Sequence, residues 1–332
     1  MALLELKNLK TYFTTKRGTV KAVNDVSYSV EPGKTLGVVG ESGSGKSVSA
    51  MSILKLLDGN GYIAGGSIHF DGKDLSQLSR NDMYKIRGND ISVIFQEPMT
   101  SLNPVFTIEK QVSEPFIIHQ GMSKKEAREK VIEMLKDVKI PNPEVVAKQY
   151  PHQLSGGMRQ RVMIAMALAC QPKLLIADEP TTALDVTIQA QILKLMNELK
   201  REHGTSILFI THDLGVIAQM ADDVAVMYCG QVVELAPART IFGKNEFSHP
   251  YTEGLMVSIP RLDTPANVRL DAIPGAVPHP LDLPKGCKFA PRCKYCQKKC
   301  MEEEPGLVEV APGQQVRCFY ARKEERYAFL NK

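Results

Sequence analysis

Residues 40–47 have the sequence GESGSGKS and match the G-x-x-x-x-G-K-S phosphate-binding loop at every defined position. The short apolar segment 35–39 before the loop predicts a buried strand, and the apolar spacing of residues 48–57 predicts an amphipathic helix. A glycine-rich loop between a strand and a helix points backbone N–H groups and the positive end of the helix dipole at an anion. This context favours a nucleotide-phosphate site over a Gly/Ser-rich turn with a chance Gly-Lys-Ser ending.

The loop predicts the contacts to the nucleotide. Lys46 is expected to reach the β- and γ-phosphates, and Ser47 is expected to hold Mg²⁺. The residues expected at this part of the site are Gly40, Ser42, Gly43, Ser44, Gly45, Lys46, Ser47 and Val48.

Two adjacent carboxylates, Asp178 and Glu179, follow the apolar run 174–177, which predicts a strand. Ligands of α/β proteins bind at the carboxyl ends of strands, where these side chains are expected. Asp178 can accept hydrogen bonds from the shell of Mg²⁺, and Glu179 can orient and polarise an attacking water. Such a pair is common by chance, but together with the phosphate loop it indicates nucleotide hydrolysis.

Two further polar residues also end predicted strands. His212 follows the apolar segment 206–210, where a neutral imidazole could donate a hydrogen bond to the γ-phosphate. Gln96 ends the segment 91–95, where its amide could reach Mg²⁺ or water. Without the other motifs, His212 could equally be a histidine at a strand end whose hydrogen bonds are only structural. A glutamine such as Gln96 carries little information alone.

Residues 154–161 have the sequence LSGGMRQR and predict a second anion-binding turn that leads into a helix. One chain does not need two such turns for one triphosphate. A head-to-tail dimer does, because each turn would close over the nucleotide held by the opposite subunit.

The order of these motifs resembles an ATP-binding cassette (ABC) ATPase over about residues 3–235. More narrowly, the chain resembles the ATPase subunits of bacterial dipeptide/oligopeptide permeases. The segments that carry this second resemblance are QEPMTSLNP at 96–104, ADEPTTALDVT at 177–187, HPYT at 249–252, SIP at 258–260 and IPG at 273–275. The similarity therefore spans nearly the whole chain.

The resemblance implies a role for each matched residue of the nucleotide site. Lys46 and the loop amides would bind phosphate, while Ser47 and Gln96 would coordinate Mg²⁺. Asp178 would support the metal, and Glu179 would be the catalytic base. No catalytic position is degenerate, so we expect the chain to hydrolyse ATP.

The resemblance also implies residues that act at the γ-phosphate and residues that act across the dimer. His212 would sense the γ-phosphate. Ser155 and Gly157 would complete the site of the partner subunit, and Asp185 would link the two sites.

Adenine is implied to stack on an aromatic residue of the first strand, where Phe13 matches best and Tyr12 is the neighbouring candidate. Residues 97–107 resemble the surface on which membrane subunits dock. Thr182 stands where many cassettes have Ser, which is a minor departure.

Five of the seven cysteines crowd the C-terminal end, and such an odd cluster favours a metal site over a disulfide framework. Cys287, Cys293, Cys300 and Cys318 have the spacing C-x₅-C-x₆-C-x₁₇-C, which fits neither a zinc ribbon nor a bacterial ferredoxin. On charge alone, four thiolates suit Zn²⁺ or a [4Fe–4S] cluster equally. The permease resemblance favours the iron–sulfur cluster, with Zn²⁺ or reduced structural cysteines as alternatives, and leaves Cys296 as a spare thiol.

Composition limits the class of protein. The 332 residues carry a formal net charge of +4 with dispersed basic residues, which gives no argument for nucleic-acid binding. No apolar window approaches the about 18 residues that a membrane span needs, and the N-terminus lacks a secretion signal. We expect an intracellular chain whose membrane role comes through a partner.

The spacing of apolar residues predicts the elements that position these motifs. Residues 3–30 predict antiparallel strands with a turn near 16–18, and 65–72 predicts a further strand. Helices are predicted at 122–139, 162–169 and 187–202, and buried strands at 91–95, 173–177 and 206–210. The fold class is therefore α/β, with a mostly parallel core sheet, an antiparallel β subdomain and a helical subdomain at about 97–165.

Eleven of the 20 prolines lie between Pro237 and Pro312, which argues against long regular elements there. We predict an ABC-type P-loop ATPase domain over 1–235 and a small, irregular, metal-binding extension over 236–332.

The resemblance implies an energy-coupling subunit of a dipeptide/oligopeptide importer at the cytoplasmic face of the bacterial cell membrane. Its partners would be a second ATPase subunit, identical or different, two membrane-spanning permease subunits and an extracytoplasmic solute-binding protein. An importer of nickel or another solute is the nearest alternative. A non-transport ABC ATPase that acts on nucleic acid is more remote, because the chain has no coiled-coil heptads and no basic stripe.

Overall fold

The structure is a computed structural model that describes residues 2–96, 101–182, 184–259 and 272–330. The strands are β1 (Leu4–Thr15), β2 (Gly18–Val30), β3 (Thr35–Val39), β4 (Gly61–Phe70), β5 (Lys73–Asp74), β6 (Ile91–Ile94), β7 (Leu174–Asp178), β8 (Ser206–Thr211), β9 (Asp223–Tyr228), β10 (Gln231–Pro237), β11 (Val308–Ala311) and β12 (Gln314–Val316). The helices are α1 (Lys46–Ile53), α2 (Arg80–Ile86), α3 (Ile108–Gln120), α4 (Lys124–Asp137), α5 (Pro143–Val146), α6 (Gly156–Leu168), α7 (Val186–His203), α8 (Leu214–Met220), α9 (Ala238–Phe242), α10 (Pro250–Val257), α11 (Lys298–Glu302) and α12 (Lys323–Leu330).

The chain divides into two compact units that are not continuous in sequence. One, which we call the helical unit, consists of Val30–Lys34 and Gln77–Ile210. The other, the phosphate-loop unit, consists of Ala2–Ser29, Thr35–Ser76 and Thr211–Lys332. The predicted boundary at residue 235 stays a prediction.

The phosphate-loop unit contains a four-stranded sheet with the order β2-β1-β4-β5. Strands β1 and β4 are antiparallel, with Tyr12 opposite Tyr62 and Phe13 opposite Gly61. This pairing starts β4 at Gly61, four residues before the predicted strand. The antiparallel subdomain that the alternation of residues 3–30 predicted is thus present around β1 and β4.

A second set of strands in this unit carries the phosphate loop. Strand β3 is parallel to β9, with Val38 opposite Ala225, and β9 is antiparallel to β10. All five residues of β3 are buried, so the loop begins from a fixed strand end.

Helix α1 follows the loop and is shorter than the predicted helix over 48–57. It begins at Lys46 and ends at Ile53. Lys55 has a φ of 51°, in the left-handed region, which a right-handed helix cannot include. The helix therefore ends there, although apolar residues continue to Leu57.

The C-terminal extension is less irregular than its proline content predicted. Strands β11 and β12 form an antiparallel hairpin, and β12 pairs with β10 through Glu234 opposite Val316. These strands have four and three residues, which is too short for an alternating pattern to be recognised. The extension is thereby joined to the edge of the sheet of its own unit.

The helical unit contains the parallel strands β6, β7 and β8, with β7 between the other two. Every residue of β7 is buried, as the apolar run 174–177 predicted. Helix α4 begins at a capping box of Ser123 and Glu126, within the predicted range 122–139. Helix α6 starts at Gly156, six residues before the prediction, because the Ser155 side chain caps it.

Within the described residues, no helix combines the length and apolar character that crossing a bilayer requires.

Candidate functional site

The phosphate loop in the phosphate-loop unit needs glycine at two positions for steric reasons. Gly40 has a φ of +157°, and a Cβ there would lie 2.1 Å from the Met227 carbonyl oxygen. Gly45 has a φ of +97°, and its Cβ would lie 2.4 Å from the Ala22 carbonyl oxygen. Any side chain would displace the backbone, so the loop can approach its surroundings this closely only with glycine.

Lys46 lies in the concave part of the loop and is only 5% exposed. Its Nζ donates hydrogen bonds to the carbonyl oxygens of Gly40, at 2.7 Å, and Glu41, at 3.1 Å. The first turn of α1, which includes Lys46 and Ser47, contains no acidic side chain. The N-terminus of α1 therefore carries no negative side chain of its own first turn that would repel an anion.

Ser44 adds a further donor to this loop. Its Oγ is buried and has no hydrogen-bond partner within the described residues. A buried hydroxyl without a partner costs free energy, and a phosphate oxygen would supply the missing acceptor. The loop thus fits the phosphate chain of a nucleotide.

The helical unit brings Gln96 and Glu179 together. The Nε2 of Gln96 donates to Oε2 of Glu179 at 3.1 Å, and the Thr182 hydroxyl donates to the same oxygen at 3.0 Å. The residue before Glu179 is Asp178, which ends β7 and is 6% exposed. Two donors therefore hold a carboxylate in place at a strand end, and the predicted role of Glu179 as general base stays a prediction.

The backbone at Glu179 has a φ of 46°, in the left-handed region that non-glycine residues rarely adopt. Its N–H donates to the carbonyl oxygen of Ile210 at 2.9 Å, which holds the turn in place. Backbone strain of this kind costs free energy and clusters at functional sites. Here it turns the Glu179 side chain away from the direction that a continued strand would give it.

The Leu-Ser-Gly-Gly turn and the start of α7 are in the same unit. Ser155 accepts a hydrogen bond from the Met158 N–H at 3.3 Å, and Asp185 accepts one from the Ile188 N–H at 3.0 Å. Gly157 packs on α7, since a Cβ there would lie 2.9 Å from Ile188 Cγ2. Within one subunit, Ser155 and Asp185 are helix N-caps, and their predicted roles across a dimer stay predictions.

His212 is exposed and follows the last residue of β8. The next residue, Asp213, caps α8 by accepting from the N–H groups of Gly215 and Val216 at 2.7 and 3.2 Å. This cap fixes the direction of the chain immediately after His212. The predicted contact of His212 with the γ-phosphate stays a prediction.

The two candidates for adenine stacking are consecutive residues of β1, so they lie on opposite faces of the sheet. The Tyr12 hydroxyl donates to Asn24 Oδ1 at 2.8 Å, and its ring meets that of Tyr62 edge-on at 6.3 Å. The Phe13 ring lies against Gly61, where a Cβ would come within 2.6 Å of it. Tyr12 is therefore engaged in polar contacts of its own sheet, whereas Phe13 has an apolar neighbour.

Sequence reasoning did not assign a function to Thr182, which shares the Glu179 carboxylate with Gln96. A hydroxyl three residues after a carboxylate at a strand end was the available signal. Of the predicted motifs, Ala183, Pro260 of the segment 258–260 and residues 97–100 of the docking segment lie outside the described residues.

Four of the C-terminal cysteines line one cavity with a volume of 20 Å³, namely Cys287, Cys293, Cys300 and Cys318. Cys296 does not line it, and its Sγ donates to the Gln297 carbonyl oxygen at 3.6 Å. Burial raises the pKa of Cys293 to about 12 and that of Cys318 to about 11, so these thiols are protonated at neutral pH. These four cysteines are the ones of the predicted ligand set, and their role as ligands stays a prediction.

The metal-binding character of the extension is not confirmed. Within residues 2–96, 101–182, 184–259 and 272–330, no three His, Cys, Asp or Glu side chains are close enough to hold a metal ion. One water needs about 10–15 Å³, so a cavity of 20 Å³ has room for about one atom. Thiols suit a single ion in chemical type, whereas a four-iron cluster is larger than this cavity.

Two known protein families match different parts of the chain. Residues 23–182 match the ABC transporter family, and residues 233–300 match the C-terminal region of oligopeptide/dipeptide transporters. The oligopeptide transport ATP-binding protein AppD of Bacillus subtilis is 55% identical over 323 residues, which cover 97% of this chain and 98% of that protein. The oligopeptide transport ATP-binding protein OppD of Escherichia coli is 52% identical over 318 residues, covering 96% and 93%.

Solved structures agree with the fold. A dimeric ATP-binding cassette in a post-hydrolysis state with ADP and Pi has a TM-score of 0.64 at 31% identity, covering 71% of this chain and 99% of that one. The cbiO1 protein of Clostridium perfringens, part of an ABC transporter complex, has a TM-score of 0.63 at 29% identity, covering 73% and 90%. The chain therefore belongs to the ABC transporter family and is an ATPase of the kind found in oligopeptide/dipeptide transporters.

Proposed function

We propose that the chain is the ATP-hydrolysing subunit of an importer for dipeptides or oligopeptides. The observation that carries the choice of substrate is the C-terminal region over residues 233–300, which matches that of oligopeptide/dipeptide transporters. The names of relatives that are 52–55% identical over nearly the whole chain support the same substrate class. An importer of nickel or another solute has no comparable support.

Hydrolysis is a transfer of the γ-phosphoryl group to water, in which positioning and charge neutralisation dominate. Lys46 and the amides of residues 40–47 bind the phosphates, and Ser47 and Gln96 would hold Mg²⁺, which would neutralise phosphate charge. Glu179 accepts a proton from the attacking water, with its carboxylate oriented by Gln96 and Thr182. Asp178 would accept hydrogen bonds from the shell of a bound metal.

The remaining site residues are proposed to act at the edges of the nucleotide. His212 contacts the γ-phosphate, and Phe13 stacks on adenine in preference to Tyr12. Ser155, Gly157 and Asp185 act in a head-to-tail dimer with a second ATPase subunit. The dimeric state of a similar cassette with ADP and Pi supports this arrangement.

The membrane-spanning subunits are proposed to dock on the helical unit. A groove with a volume of 880 Å³ is lined there by Pro104, Glu144, Val145, Lys148, Gln149, Tyr150, His152 and Gln153. Next to Pro104 in sequence, Val105 is 69% exposed, and Val145 is 59% exposed. Exposed apolar side chains around a groove are typical of a protein–protein contact. Docking there places the chain at the cytoplasmic face of the membrane, with a solute-binding protein on the other side.

Uptake of labelled peptides tests the transport function. When the chromosomal copy is replaced by Glu179→Gln, uptake of a dipeptide, a pentapeptide or both should fall to background, because import requires hydrolysis. The controls are cells carrying the wild-type chain and cells carrying Thr182→Val, which leaves the Glu179 carboxylate unchanged. Wild-type uptake of both peptides in the Glu179→Gln cells would contradict the peptide assignment and lead to assays with nickel and other solutes.

We further propose that Cys287, Cys293, Cys300 and Cys318 hold one metal centre that stabilises the extension. The four thiols that line one cavity support this ligand set. The family resemblance favours a [4Fe–4S] cluster, and the small cavity favours Zn²⁺. Bound metal would replace the thiol protons and fix four points of a segment poor in regular structure.

Metal content after anaerobic purification tests this centre. Cys318→Ser should lose most of the bound metal, whereas Cys296→Ser should keep it, since Cys296 lies outside the cavity. Iron with equimolar acid-labile sulfide identifies the cluster, and zinc alone identifies the single ion. A metal-free wild-type protein, or equal metal in the two variants, would contradict the proposal.

A further inference from the structure

The C-terminal extension contacts the phosphate loop through Arg292, which directly precedes Cys293 in the chain. Its Nη1 donates to Oε2 of Glu41 at 2.7 Å, and its Nη2 donates to Oε1 at 3.1 Å. The contact is therefore bidentate, which is the strongest geometry of an Arg–carboxylate pair. The Arg292 side chain is only 4% exposed and that of Glu41 is 32% exposed, so solvent screens the pair less than it screens a surface pair.

Arg292 is itself held in place by the rest of its own unit. Its Nε donates to the Pro274 carbonyl oxygen at 3.0 Å, and its Nη1 also lies 3.4 Å from the Tyr228 hydroxyl. The guanidinium lies over the rings of Tyr228 and Phe289, at 5.8 and 6.0 Å from their centroids. Contacts on several sides leave one orientation for the guanidinium, and that orientation faces Glu41.

A second residue of the extension, Tyr251, contacts the backbone of the same loop residue. The Glu41 N–H donates to the Tyr251 hydroxyl at 2.8 Å. Tyr251 is fully buried, and its ring packs on Tyr228 at a centroid distance of 4.7 Å. The hydroxyl is therefore fixed by an aromatic cluster that does not belong to the loop.

These contacts engage every polar group of Glu41. Arg292 holds its carboxylate, Tyr251 holds its N–H, and its carbonyl oxygen accepts a hydrogen bond from Lys46 Nζ at 3.1 Å. Glu41 is thus the point at which the extension meets the lysine that we place on the phosphates. A shift of Glu41 would move both an anchor of Lys46 and the loop amides that follow.

We infer that Arg292 and Tyr251 are positioning residues for ATP binding, because they hold Glu41 of the phosphate loop in place. The inference rests on the proposed binding of ATP to residues 40–47. It assigns to the C-terminal extension a part in the ATPase reaction, in addition to any part in metal binding. Both residues act through Glu41, so the effect appears in affinity rather than in the chemical step.

ATPase kinetics of the full chain, in its complete transporter, test the inference. Arg292→Ala and Glu41→Gln should each raise KM for ATP by about tenfold, the scale of one lost charge-assisted hydrogen bond, with kcat within about threefold of wild type. Arg292→Lys should recover part of the affinity, since it keeps the charge but not the bidentate geometry. The double variant should have nearly the KM of a single variant, because both changes remove one interaction.

Arg317→Ala is the matched control. Arg317 is a buried arginine of the same extension, and its Nη2 pairs with Asp25 at 3.2 Å, outside the phosphate loop. This variant should lower the midpoint temperature of thermal unfolding and leave KM for ATP unchanged. A rise in KM as large as that of Arg292→Ala would overturn the positioning role, as it would mean that any destabilised extension weakens ATP binding.

Lys46→Ala distinguishes a failure of the positioning role from a failure of the proposed ATP site. If Lys46→Ala loses ATP binding while Arg292→Ala and Glu41→Gln keep the wild-type KM, the positioning role is wrong and the ATP site stands. If Lys46→Ala binds ATP as wild type does, both are wrong. Glu41→Gln keeps the experiment decisive if Arg292→Ala fails to fold, because it alters a partly exposed loop residue and leaves the packed arginine in place.

Discussion

Glu179→Gln is expected to lower kcat for ATP hydrolysis by about 10²–10⁴-fold, the range that a general base contributes. The amide has nearly the same shape as the carboxylate and keeps an oxygen that can accept from Gln96 and Thr182. It cannot take a proton from the attacking water. ATP affinity should stay within about threefold of wild type, because the lost interaction belongs to the transition state.

The measurement is steady-state phosphate release by the transporter, together with an ATP titration of the purified chain. Thr182→Val is the matched control, since it removes one of the two donors to the carboxylate and leaves the base itself. Its kcat should fall by no more than about tenfold, the scale of one hydrogen bond. If Glu179→Gln retains a kcat close to that of the control, another residue is the base.

Lys46→Ala is expected to raise the Kd for ATP by about 100-fold or more, because hydrogen bonds between charged groups are the strongest in the site. In the structure, the Lys46 ammonium is buried and oriented by two loop carbonyl oxygens. Alanine removes the charge and the donor together, and no other basic side chain belongs to residues 40–47.

Thermal unfolding with and without Mg·ATP gives a direct readout. A ligand that binds the folded state raises the midpoint by mass action, so the wild-type midpoint should rise with ATP and that of Lys46→Ala should not. Lys55→Met is the control, since Lys55 lies outside residues 40–47 and its Nζ donates to the Ser76 carbonyl oxygen. An equal ATP-dependent rise in Lys46→Ala would contradict the proposed role of the loop.

The sequence predicted the elements that carry the chemistry because their local patterns are strong. An apolar run fixes β7, and the glycine and lysine spacing fixes the loop before α1, whatever the rest of the chain does. The ends of these elements were less predictable. The left-handed conformation of Lys55 and the cap at Ser155 shift the ends of α1 and α6, and neither changes the apolar spacing.

The sequence by itself determined the type of chemistry, because phosphate binding and water activation need particular residue types at short spacing. The tertiary structure decided which distant side chains hold the phosphate-binding and water-activating residues in place. Gln96 reaches Glu179 across 83 positions of the chain, and Arg292 reaches Glu41 across 251 positions. Such contacts depend on packing between elements far apart in sequence, and no local pattern records them. For the same reason, only the fold brought four unevenly spaced cysteines to one cavity.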